Sequence, residues 1–204
     1  MNQINRSSVV SSQSAGKLYR MINFPVRHGN CGGSLIQFQA GTSEVNALPF
    51  SIGKVLVMSD IRTGDVRGMH AHYETEEILV ALTGGCTVEM DDGCGRRESV
   101  RLSASPEDGG QKTGDGNRSS VIGLQSSVFS PPSSVLSSQS SEIKALLLFP
   151  HVWRVMRDFE PGTMLMVVAN IKYDEKDYIR DRAEFERISR DWINLGGSCA
   201  RGHE

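Results

Sequence analysis

The run Arg67-Gly68-Met69-His70-Ala71-His72 places two histidines one residue apart in a stretch that alternates like a half-buried strand. At i and i+2 on a strand, both imidazoles point to one face. Imidazole is the side chain whose ordinary pKa lies nearest neutrality, so two on one face suit proton transfer or metal ligation better than packing. Outward from this pair, short apolar runs recur at 34–38, 50–59, 77–82, 86–90 and 98–102. Turn signals separate them at Gly32-Gly33, Arg62-Thr63-Gly64-Asp65, Thr83-Gly84-Gly85 and Asp91-Asp92-Gly93. This spacing predicts an all-β sandwich or barrel, with Asp92-Gly93 as a hairpin connection.

The pattern breaks over 103–141, where serine fills 13 of 39 positions and Pro131-Pro132 sits mid-stretch. Such a composition predicts a disordered insertion or surface loop. The strand code resumes at 145–149, turns through Pro150 and returns at 164–169. From Glu175 to about Leu195, Tyr178, Phe185, Ile188 and Trp192 fall at helix-like spacing, which predicts a C-terminal helical region. The expected organisation is a flexible leader (1–20), one domain (21–195) interrupted at about 103–144, and a polar tail (196–204).

With 204 residues, 38% hydrophobic, the chain suffices for one buried core. A net charge of −2 gives no global attraction to nucleic acid or a membrane surface. No stretch approaches the ~20 apolar residues of a membrane span. The first sixteen residues lack the apolar core of a signal peptide. Cys31, Cys86, Cys94 and Cys199 form no CxxC pair, so reduced thiols and a cytoplasmic location are expected.

The spacing Gly64-x5-His70-x-His72-x4-Glu77-x6-Gly84 resembles the first signature motif of the cupin superfamily, which implies a jelly-roll barrel with its site inside the mouth. In metal-dependent cupins the two histidines and the glutamate join a further histidine from a second motif. Here Val155 stands at the place expected for it, which leaves His70, His72 and Glu77 as the ligand set of a metal-dependent reading.

A closer resemblance rests on Leu48-Pro49-Phe50-Ser51-Ile52, on the two-histidine run, on Val88-Glu89-Met90-Asp91-Asp92-Gly93, on Pro150-His151-Val152-Trp153, and on Tyr173-Asp174-Glu175-Lys176-Asp177-Tyr178-Ile179-Arg180 with Phe185. In this order the segments resemble the WxcM-like cupins, which include dTDP-4-keto-6-deoxyglucose 3,4-ketoisomerases. The resemblance implies a homodimer that uses no metal or redox cofactor and acts on a dTDP-linked keto-deoxysugar. It further implies His70 and His72 as catalytic base and acid, in either order, because moving a ketone from C4 to C3 needs two positioned proton-transfer groups. Arg67 is implied as a diphosphate or enolate ligand, and Lys54 stands where the family carries arginine. Trp153 and Arg154 complete the expected substrate-binding set.

The chain departs from the family at Lys54-Val55-Leu56-Val57, which lacks an aromatic pair and with it a site hydroxyl, at Tyr73, where a basic residue is usual, and at Arg154, which is often histidine. A sugar-nucleotide binding module without catalysis is the reading those losses would favour. Glu77 reads equally well as a polar strand residue or as a group orienting a histidine. Asp174 to Asp177 reads as a solvated helix start. His28, His151 and His203 read as structural or exposed.

Overall fold

The computed structural model describes residues 18–41, 47–104 and 142–194. Eleven strands are defined in them: β1 (Tyr19–His28), β2 (Ser34–Ile36), β3 (Lys54–Met58), β4 (Arg67–His72), β5 (Glu77–Thr83), β6 (Gly85–Asp91), β7 (Arg97–Ser103), β8 (Glu142–Leu148), β9 (Trp153–Arg157), β10 (Met164–Ala169) and β11 (Tyr178–Ile179). A single 3-10 turn, Glu175–Asp177, precedes β11, and helix α1 spans Arg182–Asn194. The strands form two antiparallel sheets, ordered β2-β1-β8-β5-β10-β3 and β11-β4-β9-β6-β7. This is the expected all-β jelly roll.

The alternation of side chains along each strand sorts three apolar layers. Leu79, Ala81, Leu146, Leu148 and Leu165 of the larger sheet meet Cys86, Val88, Met90, Leu102 and Met156 of the smaller one, forming the inter-sheet core. The alternate residues Ile78, Val80, Ala145 and Leu147 turn outward and pack with Phe24 and Leu48. β5 and β8 are therefore buried on both faces, which explains their unbroken apolar runs. On the outside of the smaller sheet, Ala71, Trp153 and Ile179 are covered by Phe185 of α1. Asp181 caps that helix, accepting a hydrogen bond from the Glu184 amide at 2.7 Å, and burying Phe185 contributes roughly 1.5–3 kcal/mol. The turn between β6 and β7 meets the same helix at Gly93, whose φ is 72°, and a Cβ there would fall 2.4 Å from Ser189 Oγ.

Several boundaries differ from the sequence reading. β1 starts at Tyr19, inside the expected leader, and β9 occupies a segment read as a turn. β8 starts at Glu142, ahead of the expected resumption at 145. The hairpin between β6 and β7 is longer than two residues, since Asp91 pairs with Arg97. The helical region is split, a 3-10 turn at Glu175–Asp177 and the α-helix only from Arg182, and Tyr178 lies on a strand between them. Cys31 and Cys86 are free, whereas Cys94 is disulfide-bonded, so the expectation of reduced thiols is corrected there. Residues 1–17 of the leader, most of the serine-rich insertion (105–141) and the tail lie outside the described residues. Among the described residues no helix is long and apolar enough to cross a membrane.

Candidate active site

His70 and His72 of β4 face the space between the sheets, and the turn into them is made by a bulge. Gly68 (φ 84°) and Met69 (φ 56°) take left-handed conformations, and the β4–β9 register shifts between Gly68 and His70. A Cβ on Gly68 would lie 2.8 Å from the Arg154 carbonyl oxygen, so only glycine lets the two strands approach. After the bulge, His70 and His72 are neighbours, their ring centroids 4.9 Å apart and nearly perpendicular. The same-face expectation for the pair is met, but their environments diverge.

His72 is fully buried and faces two carboxylates. Its Nε2 hydrogen-bonds Glu77 Oε1 at 2.7 Å, and its Nδ1 lies 2.8 Å from Asp177 Oδ2, within ion-pair reach but off the line of a hydrogen bond. Asp177 is itself held by the Glu74 amide at 2.7 Å and by the Thr75 hydroxyl. Glu77 reaches in from β5 of the opposite sheet and Arg154 from β9, the neighbour of β4 in its own sheet, with Arg154 Nη2 3.3 Å from Glu77 Oε2. Burial alone would raise the Glu77 carboxyl, but Arg154 and then His72 outweigh it and hold it at about 2.

His70 is half-buried and freer. Its Nδ1 is 3.0 Å from the Gly68 carbonyl oxygen, which can only accept, so Nδ1 carries the ring proton and Nε2 keeps its lone pair. Among the described residues, Nε2 has no partner. Burial, and next the Arg154 charge, push the ring down to about 4, so it is neutral over the physiological range.

Tyr178 completes the cluster. It lies on β11 directly opposite His72, with its ring 4.3 Å from that of His72 and 5.0 Å from that of His70. Lys54, at the start of β3, donates to its hydroxyl at 3.2 Å and lies 5.2 Å from the ring centroid. Both Tyr178 and Asp177 were missed in the sequence, one as a helix-face residue and the other as a solvated helix start. Their only signal was the Asp177-Tyr178 step within the family-like segment.

Other expected site residues are placed elsewhere. Trp153 is odd-numbered on β9 and points outward, its ring 5.4 Å from that of Phe185 beneath α1, so it is not a substrate contact in the mouth. Val155 points the same way, and the inward place read for a fourth metal ligand belongs to Arg154. Arg67 is half-exposed and paired with Asp65 at 2.8 Å, and no described contact links it to the histidines. His151 stacks on Trp192 at 4.4 Å, in a structural setting.

The donors of His70, His72 and Glu77 lie within 4.8 Å of one another, as a metal site would need. They nevertheless do not fit a cation. His72 and Glu77 spend their facing atoms on each other, and the buried Arg154 guanidinium already supplies the positive charge beside Glu77. A divalent ion would have to displace that hydrogen bond and sit against a like charge in a low-dielectric interior. The arrangement therefore does not favour the metal-dependent reading.

The family model for FdtA, described as WxcM-like, C-terminal, matches residues 17–107 and 133–190. This chain belongs to the WxcM-like family. A curated relative, TDP-4-oxo-6-deoxy-alpha-D-glucose-3,4-oxoisomerase of Aneurinibacillus thermoaerophilus, is 30% identical over 76% of this chain and 81% of its own length. Among solved structures, a 3,4-ketoisomerase from Helicobacter canadensis superposes with a TM-score of 0.60 at 28% identity, covering 85% of this chain and 98% of that one. The WlaRB TDP-quinovose 3,4-ketoisomerase from Campylobacter jejuni gives a TM-score of 0.58 at 26% identity, covering 84% and 98%. The break in the WxcM-like match falls within the serine-rich stretch.

Proposed function

We propose that this protein is a nucleotide-sugar 3,4-ketoisomerase, moving the ketone of a dTDP-linked 4-keto-6-deoxyhexose from C4 to C3 through an enediol(ate). The observation that carries this reading is His70, a neutral imidazole whose Nδ1–H is anchored on the Gly68 carbonyl so that Nε2 is free to accept a proton. Family membership and relatives named as 3,4-ketoisomerases support it.

His70 acts as the base toward C3–H. Arg154 is buried beside Glu77 and behind His70, so its permanent positive charge acts through the low-dielectric interior on the enolate charge that develops in the pocket. His72, with both nitrogens facing carboxylates, serves as a positioning residue that locks the back of the pocket. Lys54 has three N–H donors and gives one to Tyr178, leaving others for the diphosphate; Arg67, exposed on β4, is the weaker candidate for that task. No step needs a metal or a redox cofactor.

The same reading includes a homodimer in the cytoplasm. Supporting the dimer, edge strand β3 exposes Val55, Leu56 and Val57 on both its faces, a surface that a second copy would cover. Sedimentation as a monomer would remove that part.

To test the activity, the EDTA-treated protein is incubated with dTDP-4-keto-6-deoxyglucose in D2O and C3 and C4 are followed by NMR. A 3-keto product carrying deuterium is expected, at a rate that EDTA leaves unchanged. Saturable dTDP binding with no exchange would replace the enzyme by a binding module, and loss of turnover in EDTA would restore the metal-dependent reading.

A further inference from the structure

The isomerisation needs a second proton-transfer group, and the cluster allows few. The proton taken from C3 by His70 must be matched by one delivered to C4. His72 cannot supply it, since Nε2 is bonded to Glu77 and Nδ1 is closed off by Asp177. Glu77 is a carboxylate with no proton to give. The Thr75 hydroxyl is spent on Asp177. The Arg154 guanidinium stays protonated and is the charge that stabilises the intermediate. Tyr178 is the one remaining O–H in the described cluster. It is half-buried, its ring lies beside that of His70, and its oxygen accepts a hydrogen bond from Lys54, which leaves the phenolic proton pointing elsewhere.

We infer that Tyr178 is the catalytic acid that protonates C4, with Lys54 holding its oxygen, and that this pair supplies the hydroxyl absent from the run Lys54-Val55-Leu56-Val57. The inference rests on the 3,4-ketoisomerase reading. C3–H passes to His70 Nε2 as the C4 carbonyl oxygen takes up the electron pair and becomes the enolate. The O3 hydroxyl proton moves to O4 as the carbonyl reforms at C3, and C4 takes the phenol proton. The phenolate, beside the Lys54 ammonium, is reprotonated by solvent, and His70 returns its proton to solvent. Nothing is oxidised or reduced overall. The Lys54 ammonium has a reason to be there, because it stabilises the phenolate formed in this step.

The distinguishing experiment is Tyr178→Phe, which keeps the ring against both histidines, assayed in D2O beside the wild type with thermal unfolding as the folding control. The variant is expected to wash deuterium into C3 of recovered substrate within about tenfold of the wild-type rate, while 3-keto product formation falls by about 10²–10⁴-fold. Lys54→Met is expected to show the same uncoupling more weakly. Product formation within tenfold of wild type, or a parallel loss of exchange and isomerisation in a folded Tyr178→Phe, would overturn the assignment. A wild type that neither exchanges nor isomerises this substrate overturns the ketoisomerase reading, and the acid role with it.

Discussion

His70→Asn is expected to lower kcat/KM for the keto sugar by about 10²–10⁴-fold, the usual contribution of a positioned general base, with thermal unfolding little changed. Asparagine fits the half-buried site and keeps a polar group near the Gly68 carbonyl, but it offers no basic nitrogen. Deuterium wash-in at C3 should vanish together with product, in contrast to the uncoupled loss expected at Tyr178. The same ring sets the acid limb of the pH profile. Because burial and then Arg154 hold it at about 4, the free enzyme keeps an unprotonated Nε2 down to that pH, and kcat/KM should fall only as pH drops through about 4. A limb near the ordinary histidine value of 6.5 would show that His70 is not the base. Turnover retained within tenfold in His70→Asn would do so more directly.

Arg154→Met is expected to destabilise the fold by about 3–5 kcal/mol, because it leaves the Glu77 carboxylate buried and without its guanidinium. For a chain of this size that corresponds to a fall in Tm of roughly 6–20 °C. The loss is not the worth of the ion pair but the cost of the charge left behind. Arg154→Met combined with Glu77→Gln should therefore recover most of the stability, a non-additivity that a double-mutant cycle measures directly. Neither variant should recover activity, since the buried positive charge that stabilises the enolate is gone in both. A single variant within about 1 kcal/mol of wild type, or a double variant no more stable than the single, would show that Glu77 does not depend on Arg154. The pair also bears on metal chemistry: it places a permanent cation beside the cluster that a cupin of another kind would fill with an ion.

The strand pattern, the inward face of β4 and the histidine pair were legible in the sequence. They follow from a two-residue period, a local rule that needs no knowledge of distant contacts. Turn residues marked most connections for the same reason. The segments that misled were those where local signals conflict with position: β1 contains polar residues and a proline, β9 begins just after a Pro-His turn, and Tyr178 happens to match a helical spacing with Phe185. The alternation rule could also have sorted β9, sending Trp153 and Val155 outward and Arg154 inward, had that segment been read as a strand.

The division of labour within the cluster was not legible, because it depends on partners far apart in the chain. Glu77 comes from the opposite sheet, Arg154 from beyond the serine-rich stretch, and Asp177 and Tyr178 from 105 and 106 residues after His72. The sequence by itself determined that a jelly roll would carry two imidazoles on one inward face. Only the tertiary structure decided that one is sealed between carboxylates while the other keeps a free nitrogen beside a phenol, since burial and neighbouring charge set those roles and both arise when the sheets close.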